Sequence, residues 1–212
     1  MARRFPKPSG IKRWQATKSA KKKIIIICEG RKTEPEYIKE FVIDKKHPLV
    51  ECKTINGVGV PKSIVDRAIT EKKKLLKQAK KSGDSFEMIY EIWCVSDRDE
   101  HPRVREEIQR ANDNGLMYVL SNPCIELWGY LHYFQNDAPT HRHDMQRMLS
   151  GVMSSYNHAQ GAVFNYADMR ESYSNAVDRA KKLKKRRNEE GSNPYANPST
   201  NMYELMEAIE EN

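Results

Sequence analysis

Four isoleucines and a cysteine, Ile24 to Cys28, stand in a row in an otherwise polar chain. A continuous run of β-branched residues without polar alternation is typical of a strand buried on both faces, as in a parallel sheet covered by helices. A polar segment, "EGRKTEPEY", follows at once and carries Glu29 and Glu34. The run therefore predicts a rigid central strand whose exit delivers carboxylates to one edge of a sheet.

Strand patterns alternate with amphipathic helix patterns as far as Ser121. This alternation predicts an α/β fold with a mainly parallel, four-stranded sheet and right-handed crossovers. The first helix has a start signal, the capping-box spacing of Thr33 and Glu36, and the second has a stop signal, Gly83. The predicted later strands are 49–57, 88–96 and 115–121, and the predicted helices are 34–42, 61–83, 104–112 and 123–134.

The chain divides into three predicted parts. Residues 1–22 have two prolines, a glycine and no apolar period, which predicts a basic, flexible N-terminal arm. Residues 23–134 form the α/β domain, and residues 135–212 form a helical C-terminal extension that packs on the same domain. We expect helices at 143–153, 168–187 and 202–210, the second of them starting with a capping pattern of Asp168 and Glu171.

The cysteine and hydropathy patterns exclude several classes of protein. The four cysteines lie far apart, without the CxxC or Cys/His spacing of a zinc site, so we expect buried free thiols in a reducing cytosol. The longest apolar run is far shorter than the ~20 residues that span a bilayer. No signal-peptide pattern follows the basic N-terminus. The expectation is a soluble, cytoplasmic protein without a membrane partner.

The net charge of +8 is concentrated in two basic runs. Residues 1–23 contain nine Lys/Arg and no acid, and "KKLKKRR" at 181–187 adds six. Cations placed at phosphates release condensed counterions, so such runs favour a nucleic-acid partner. Each run taken alone also fits a solvated tail or a solvated helix face. The contacts predicted in the second run are Lys181, Lys182, Lys184, Lys185, Arg186 and Arg187.

Acidic residues follow the predicted strands. Glu29 follows the first strand, and Asp97 and Asp99, which leave an extended chain on the same side, follow the third. Because ligands of parallel sheets bind at the carboxyl ends of the strands, Glu34 and Glu126 can join them there. Gathered carboxylates repel one another unless a cation such as Mg²⁺ or Mn²⁺ binds them. We predict Glu29, Asp97, Asp99 and Glu126 as metal ligands.

Each of these acids also has a purely structural interpretation. Glu29 can be an ordinary strand-end residue, and Glu34 can interact with the helix dipole. Asp97 and Asp99 can be turn or cap residues, and Glu126 can be a hydrogen-bond partner. A DxD motif alone is weak evidence, whereas strand–Glu–Gly–helix followed by strand–DxD is more specific.

That arrangement resembles the TOPRIM domain, the metal-binding fold of topoisomerases, primases and OLD-family nucleases. Within it, "IIIICEGRKTEPEYI", "VSDRD", "SNPCIELWGYLHY" and "NPSTNMYEL" resemble the RloB-like family of bacterial defence proteins, over about Lys22 to Leu205. The resemblance implies a TOPRIM-type sheet with Glu29 in the first acidic position and Asp97 and Asp99 as the DxD pair. It also implies an ATPase partner of the AAA or ABC type and a role against phage.

The function that we predict is a metal-dependent nuclease acting on RNA or DNA in anti-phage defence or abortive infection. Glu34 is a candidate general base, and Lys32 and Arg98 are candidates to offset the charge that develops on the phosphate, although either can simply balance local acidity. A non-catalytic nucleic-acid-binding or adaptor subunit is the alternative. Nucleotidyl transfer has no separate nucleotide motif to support it. Homo-oligomerisation stays open.

Overall fold

A computed structural model describes residues 22–30, 32–47, 49–54, 60–83, 90–98, 101–157, 164–191 and 193–211. Several predictions concern residues outside these ranges: all of the basic arm except Lys22, the end of the second strand at 55–57, and Asp99.

The sheet has five strands in the order β2-β1-β3-β4-β5. The first four are parallel and the last is antiparallel, so the predicted α/β class with a mainly parallel sheet is confirmed. The fifth strand was not predicted, because it has two residues within a segment that is otherwise typical of a loop. The strands are β1 Lys23–Cys28, β2 Val50–Thr54, β3 Tyr90–Asp97, β4 Met117–Asn122 and β5 Ser199–Thr200.

Eight α-helices are present in the described ranges, close to the predicted positions. The second helix ends as predicted, because Gly83 adopts the left-handed conformation (φ 70°) that suits a residue after a helix. The helices are α1 Thr33–Asp44, α2 Pro61–Ser82, α3 Val104–Asp113, α4 Glu126–Leu131, α5 Arg142–Val152, α6 Tyr166–Met169, α7 Tyr173–Glu189 and α8 Met202–Glu210.

The isoleucine run is buried on both faces of the sheet, as predicted. Ile24 and Ile26 belong to a large hydrophobic cluster with α1, α4, α5, α7 and α8, and we call this side the α1 face. Ile25 and Ile27 belong to a smaller cluster with α2 and α3, which we call the α2 face. Side chains from before residue 134 and side chains from after residue 143 thus pack together in the larger of the two clusters.

Two predicted helix starts are wrong. Thr33 lies inside the first turn of α1 and is buried, Lys32 holds the cap position, and the cap residue makes no side-chain hydrogen bond, so the capping box does not form. Asp168 likewise lies inside α6, whose first turn is capped by the Asn165 side chain accepting from the Ala167 amide at 3.0 Å. A 3₁₀ turn at Arg170–Ser172 then separates α6 from α7.

The described cysteines are free thiols, as predicted: Cys28, Cys94 and Cys124 are all buried. Burial raises the pKa of Cys94 to about 12, which keeps it as an unreactive thiol at neutral pH. Among the helices of the described ranges, none has the length and apolarity needed to cross a membrane.

Candidate functional site

The strand order locates the crevice of this sheet between β1 and β3. From β1 the chain passes over α1 to β2 on one side, and then over α2 to β3 on the other, so the direction of winding reverses at this point. In open parallel sheets, ligands bind at such a reversal, outside the carboxyl ends of the strands. Glu29 and Asp97 lie there, because the Glu29 amide donates to the Val95 carbonyl at 3.0 Å and Asp97 ends β3.

Asp97 and Glu126 lie on the α1 face, around Cys124 and Tyr156. Glu126 is 4% exposed, and the Tyr156 hydroxyl donates to its Oε1 at 2.7 Å. Burial raises the pKa of the Cys124 thiol far above its usual range, and the negative charges of Glu126 and Asp97 raise it further. The pKa of Tyr156 is raised mainly by burial, then by the charge of Glu126 and the hydrogen bond with it, and less by Cys124 and Asp97. The carboxylates of Asp97 and Glu126 therefore lie close to the same two buried side chains, Cys124 and Tyr156, near the end of β3.

We call the edge of the sheet at the carboxyl ends of β1 and β3 the rim. The first turn of α1 brings Glu34 to this rim, and Glu34 is 4% exposed. Its carboxylate lies directly against Gly30: a Cβ at Gly30 would stand 1.9 Å from Glu34 Oε2. Only a residue without a side chain leaves room for this carboxylate beside the end of β1. The Glu–Gly pair that ends the isoleucine run thus also determines where Glu34 lies.

Glu29 faces the opposite side of the sheet. Strand alternation puts it with Ile25 and Ile27 on the α2 face, and its Oε1 lies 3.7 Å from His101 Nε2. The pKa of Tyr118, also on this face, is raised mainly by burial and partly by the Glu29 charge. Asp97 and Glu29 are therefore neighbours at adjacent strand ends, but their carboxylates extend towards opposite faces of the sheet.

The candidate cations of the rim lie on either side of these acids. Lys32 is exposed at the start of α1. Arg98 is half-buried; its amide donates to the Ser121 carbonyl at 2.8 Å, and its guanidinium donates to the His101 carbonyl. Arg98 thus holds the segment that carries His101 in addition to any role towards a phosphate.

Most cations of the predicted basic run are paired within the fold. Arg187 is 9% exposed and donates to the carbonyls of Asp137 and Asn197, which makes it a buried structural arginine. Lys182 is the exception, with no ion pair to a described residue. The pairs in α7 are Lys181 with Glu207, Lys184 with Glu204, Lys185 with Glu189, and both Arg186 and Arg187 with Glu190. This pattern favours a solvated and structural helix face over a surface fully dedicated to phosphates.

Within the described ranges, no three His, Cys, Asp or Glu side chains form a group that could hold a metal ion. Asp99, the second acid of the predicted DxD pair, lies outside those ranges. The donor chemistry nevertheless suits a hard divalent cation, since Asp97, Glu126, Glu34 and Glu29 supply only carboxylate oxygens. The predicted ligand set therefore stays a prediction.

Three residues of this site were not predicted from the sequence. Tyr156 reaches Glu126 from 30 positions away, and His101 reaches Glu29 from a turn, so no local spacing announces either contact. Gly30 did have a signal, because a glycine directly after a buried strand often marks a close approach of another group.

Comparison with known protein families shows that residues 24–209 fit the family described as RloB-like protein. No curated protein and no solved structure matches the chain. The matched segment includes β2 to β5, all of β1 except Lys23, and every acid described above, and because it covers most of the sequence, the chain belongs to the RloB-like family.

Proposed function

We propose that this protein is a divalent-metal-dependent nuclease that hydrolyses phosphodiester bonds of RNA or DNA. The observation that carries the proposal is that four acids follow the strands at the edge where the winding of the sheet reverses, and that two of them, Glu34 and Glu126, are only 4% exposed. Buried carboxylates at this place are costly unless a cation or hydrogen bonds compensate them. At the ligand-binding edge of such a fold, carboxylates can have a function that outweighs the free-energy cost of burying them.

Asp97 and Glu126, which lie on the α1 face, are proposed to hold Mg²⁺ or Mn²⁺ together with Asp99. Glu29 was also predicted as a ligand, but its carboxylate extends towards the α2 face, and it is not proposed to bind the same ion. A bound divalent cation would lower the pKa of a water molecule and offset negative charge on the phosphate. Tyr156 orients Glu126 by donating to its Oε1 at 2.7 Å. Such support of a ligating carboxylate by a hydrogen bond is usual for metal sites.

Glu34 is the proposed general base. Its carboxylate is held against Gly30, at the end of β1, where it can accept a proton from an attacking water. Lys32 and Arg98 stand at the edges of the acidic group and are proposed to attract the phosphate backbone. Lys182, which pairs with no described residue, and the paired lysines of α7 are proposed to extend this positive surface for longer nucleic acids.

The setting that we propose is anti-phage defence in the cytoplasm, under the control of an AAA- or ABC-type ATPase. This part rests on the family resemblance of the sequence motifs. The competing function is a non-catalytic nucleic-acid-binding or adaptor subunit. The internal ion pairs of α7 and the hydrogen bond between Tyr156 and Glu126 also fit that function.

The test is replacement of Asp97 by Asn, which removes the charge and keeps the size. We expect cleavage of labelled tRNA, mRNA and DNA, assayed with Mg²⁺ or Mn²⁺ in lysate from phage-infected cells, to fall by about a thousand-fold, or roughly 4 kcal/mol. Binding of the same substrates in EDTA should stay within about twofold of the parent protein, because the removed charge is repulsive to phosphate.

Asp178→Asn is the matched control, since Asp178 is exposed on α7 and distant in sequence from the rim. It should leave cleavage unchanged. Full cleavage by the Asp97→Asn protein would refute the proposed metal site, and binding without cleavage by the parent protein would leave the adaptor function.

A further inference from the structure

A cavity of about 220 Å³ opens on the α2 face beside the acidic rim. It lies between the start of α2 and the turn that leads into α3, the two segments that follow the carboxyl ends of β2 and β3. The cavity therefore opens at the same edge of the sheet as Glu29 and Asp97. None of the roles given above to the acids requires it.

The inner lining of the cavity is apolar. Val60, Pro61, Pro102 and Val104 supply it, and Val104 is 2% exposed. Pockets for drug-sized ligands measure about 300–1,000 Å³. The smaller volume here suits a flat group such as a single nucleobase, for which an apolar lining provides a stacking and packing surface.

The mouth of the cavity is positively charged. Lys62 and Arg103 line it, both are exposed, and neither forms an ion pair with any residue that the structure describes. Among the lining residues that the structure describes, the one acid is Glu107, and Arg110 Nη1 lies 2.9 Å from its Oε2. The two cations therefore keep their charge for a ligand, in contrast to the paired cations of α7.

His101 joins the cavity to the acidic rim. It lines the cavity and its Nε2 lies 3.7 Å from Glu29 Oε1. A chain with one base in the cavity and its phosphate at Lys62 or Arg103 would pass beside Glu29. The cavity thus adjoins the Glu29 carboxylate through His101.

We propose that this cavity is a nucleotide subsite that binds one base of a single-stranded nucleic acid, with the adjoining phosphate held by Lys62 and Arg103. The proposal rests on the proposed nuclease function and adds to it where the substrate strand lies. In this proposal, the α2 face selects an unpaired nucleotide next to the place of cleavage.

The test measures binding without cleavage. Fluorescein-labelled RNA and DNA pentanucleotides are titrated in EDTA with the full chain and with the Lys62→Ala/Arg103→Ala variant. We expect the Kd of the variant to rise about tenfold. The slope of log K against log salt should become shallower by about 0.7 for each lost phosphate contact. Both residues are exposed, so the melting temperature should not change.

Lys80→Ala/Lys81→Ala is the matched control. It removes the same charge from the far end of α2, which at 1.5 Å per residue lies about 30 Å from Lys62. The control should change the Kd by less than about twofold. Equal weakening by the two double variants, unchanged binding by the first, or no binding of pentanucleotides by the parent chain would each overturn the subsite.

A third variant tests the apolar lining. Val60 has extended backbone angles (φ −124°, ψ 147°) that accept an aromatic residue, so Val60→Phe fills the cavity without straining the chain. We expect the Kd to rise about fivefold with an unchanged salt slope, and no effect would contradict binding of a base. These readouts do not depend on cleavage, so loss of the subsite and failure of the Asp97→Asn test would be separate results.

Discussion

At the rim, the two faces of the sheet differ in how deeply they bury their polar side chains. On the α1 face, Glu126 is buried and held by Tyr156, and the same core contains a buried histidine, His132. On the α2 face, Glu29 meets His101, whose side chain is 30% exposed, and a cavity opens beside them. One face fixes carboxylates in a dry environment and the other leaves room for a ligand, so the rim combines rigidity with access.

Within this comparison, the largest effect is expected at Gly30, at the end of β1 beside Glu34. In Gly30→Ala the new Cβ would stand 1.9 Å from Glu34 Oε2, so the carboxylate must move. We expect cleavage to fall about a hundred-fold, or roughly 2.7 kcal/mol, with a melting temperature close to that of the parent, because the end of a flexible side chain moves at little cost. Cleavage assays and thermal unfolding measure the two effects.

Gly151→Ala is the matched control for this change. A Cβ there meets nothing within 4 Å, and the position lies inside α5, so the change should stabilise the helix by up to about 1 kcal/mol and leave cleavage intact. If Gly30→Ala kept full activity, Glu34 would not need its place beside β1, and its role as general base would be lost.

The second prediction uses pH to test how dry the α1 face is. His132 is 1% exposed, and burial lowers its pKa to about 4. Between pH 6.5 and 4 the unfolded chain binds a proton at this residue that the folded chain does not. Acidification through that window therefore destabilises the fold, by about 2.5 kcal/mol at a pH near 4.5, and stability is regained above it.

Urea unfolding at about pH 7 and about pH 4.5 measures this effect. In His132→Gln the difference between the two free energies should shrink by about 2.5 kcal/mol, whatever the variant costs at neutral pH. His143→Gln, at an exposed position of α5, should keep the difference of the parent. An unchanged difference in His132→Gln would mean that water reaches this core.

The elements that the sequence predicted are those whose signals are local. The isoleucine run could only be a strand covered on both faces, and Gly83 could only follow a helix, and both have the predicted role. The acids of the rim were found in the same way, because each follows a strand at the edge where parallel strands end.

The features that were missed depend on long-range contacts. The short strand β5 is held by Asn201, whose side chain accepts from the Leu120 amide and donates to the Tyr118 carbonyl from some eighty positions away. The capping box of α1 fails because Thr33, its first member, lies inside the first turn and is buried, so that the tertiary structure overrides the local spacing to Glu36. The direction of Glu29, opposite to that of Asp97, follows from the register of β1, which composition does not reveal.

The smallest effects are expected from the outer side of the α1 face, where α7 carries its cations. The test is the Lys182→Ala/Lys185→Ala variant. Lys182 has no described ion-pair partner, and Lys185 forms a 3.7 Å ion pair with Glu189 in which both side chains are largely exposed. Exposed pairs contribute little, so the free energy of unfolding should change by less than about 0.5 kcal/mol.

The same variant separates the two groups of cations by the length of nucleic acid that they contact. Affinity for a long single strand should fall about threefold, because two phosphate contacts become weaker, while affinity for a pentanucleotide should stay unchanged. Titrations in EDTA at two salt concentrations measure both values. If the pentanucleotide instead bound as weakly as it does to Lys62→Ala/Arg103→Ala, the α7 cations would contribute as much as the cavity does. The contrast between a closed face and a ligand-accepting face would then be wrong.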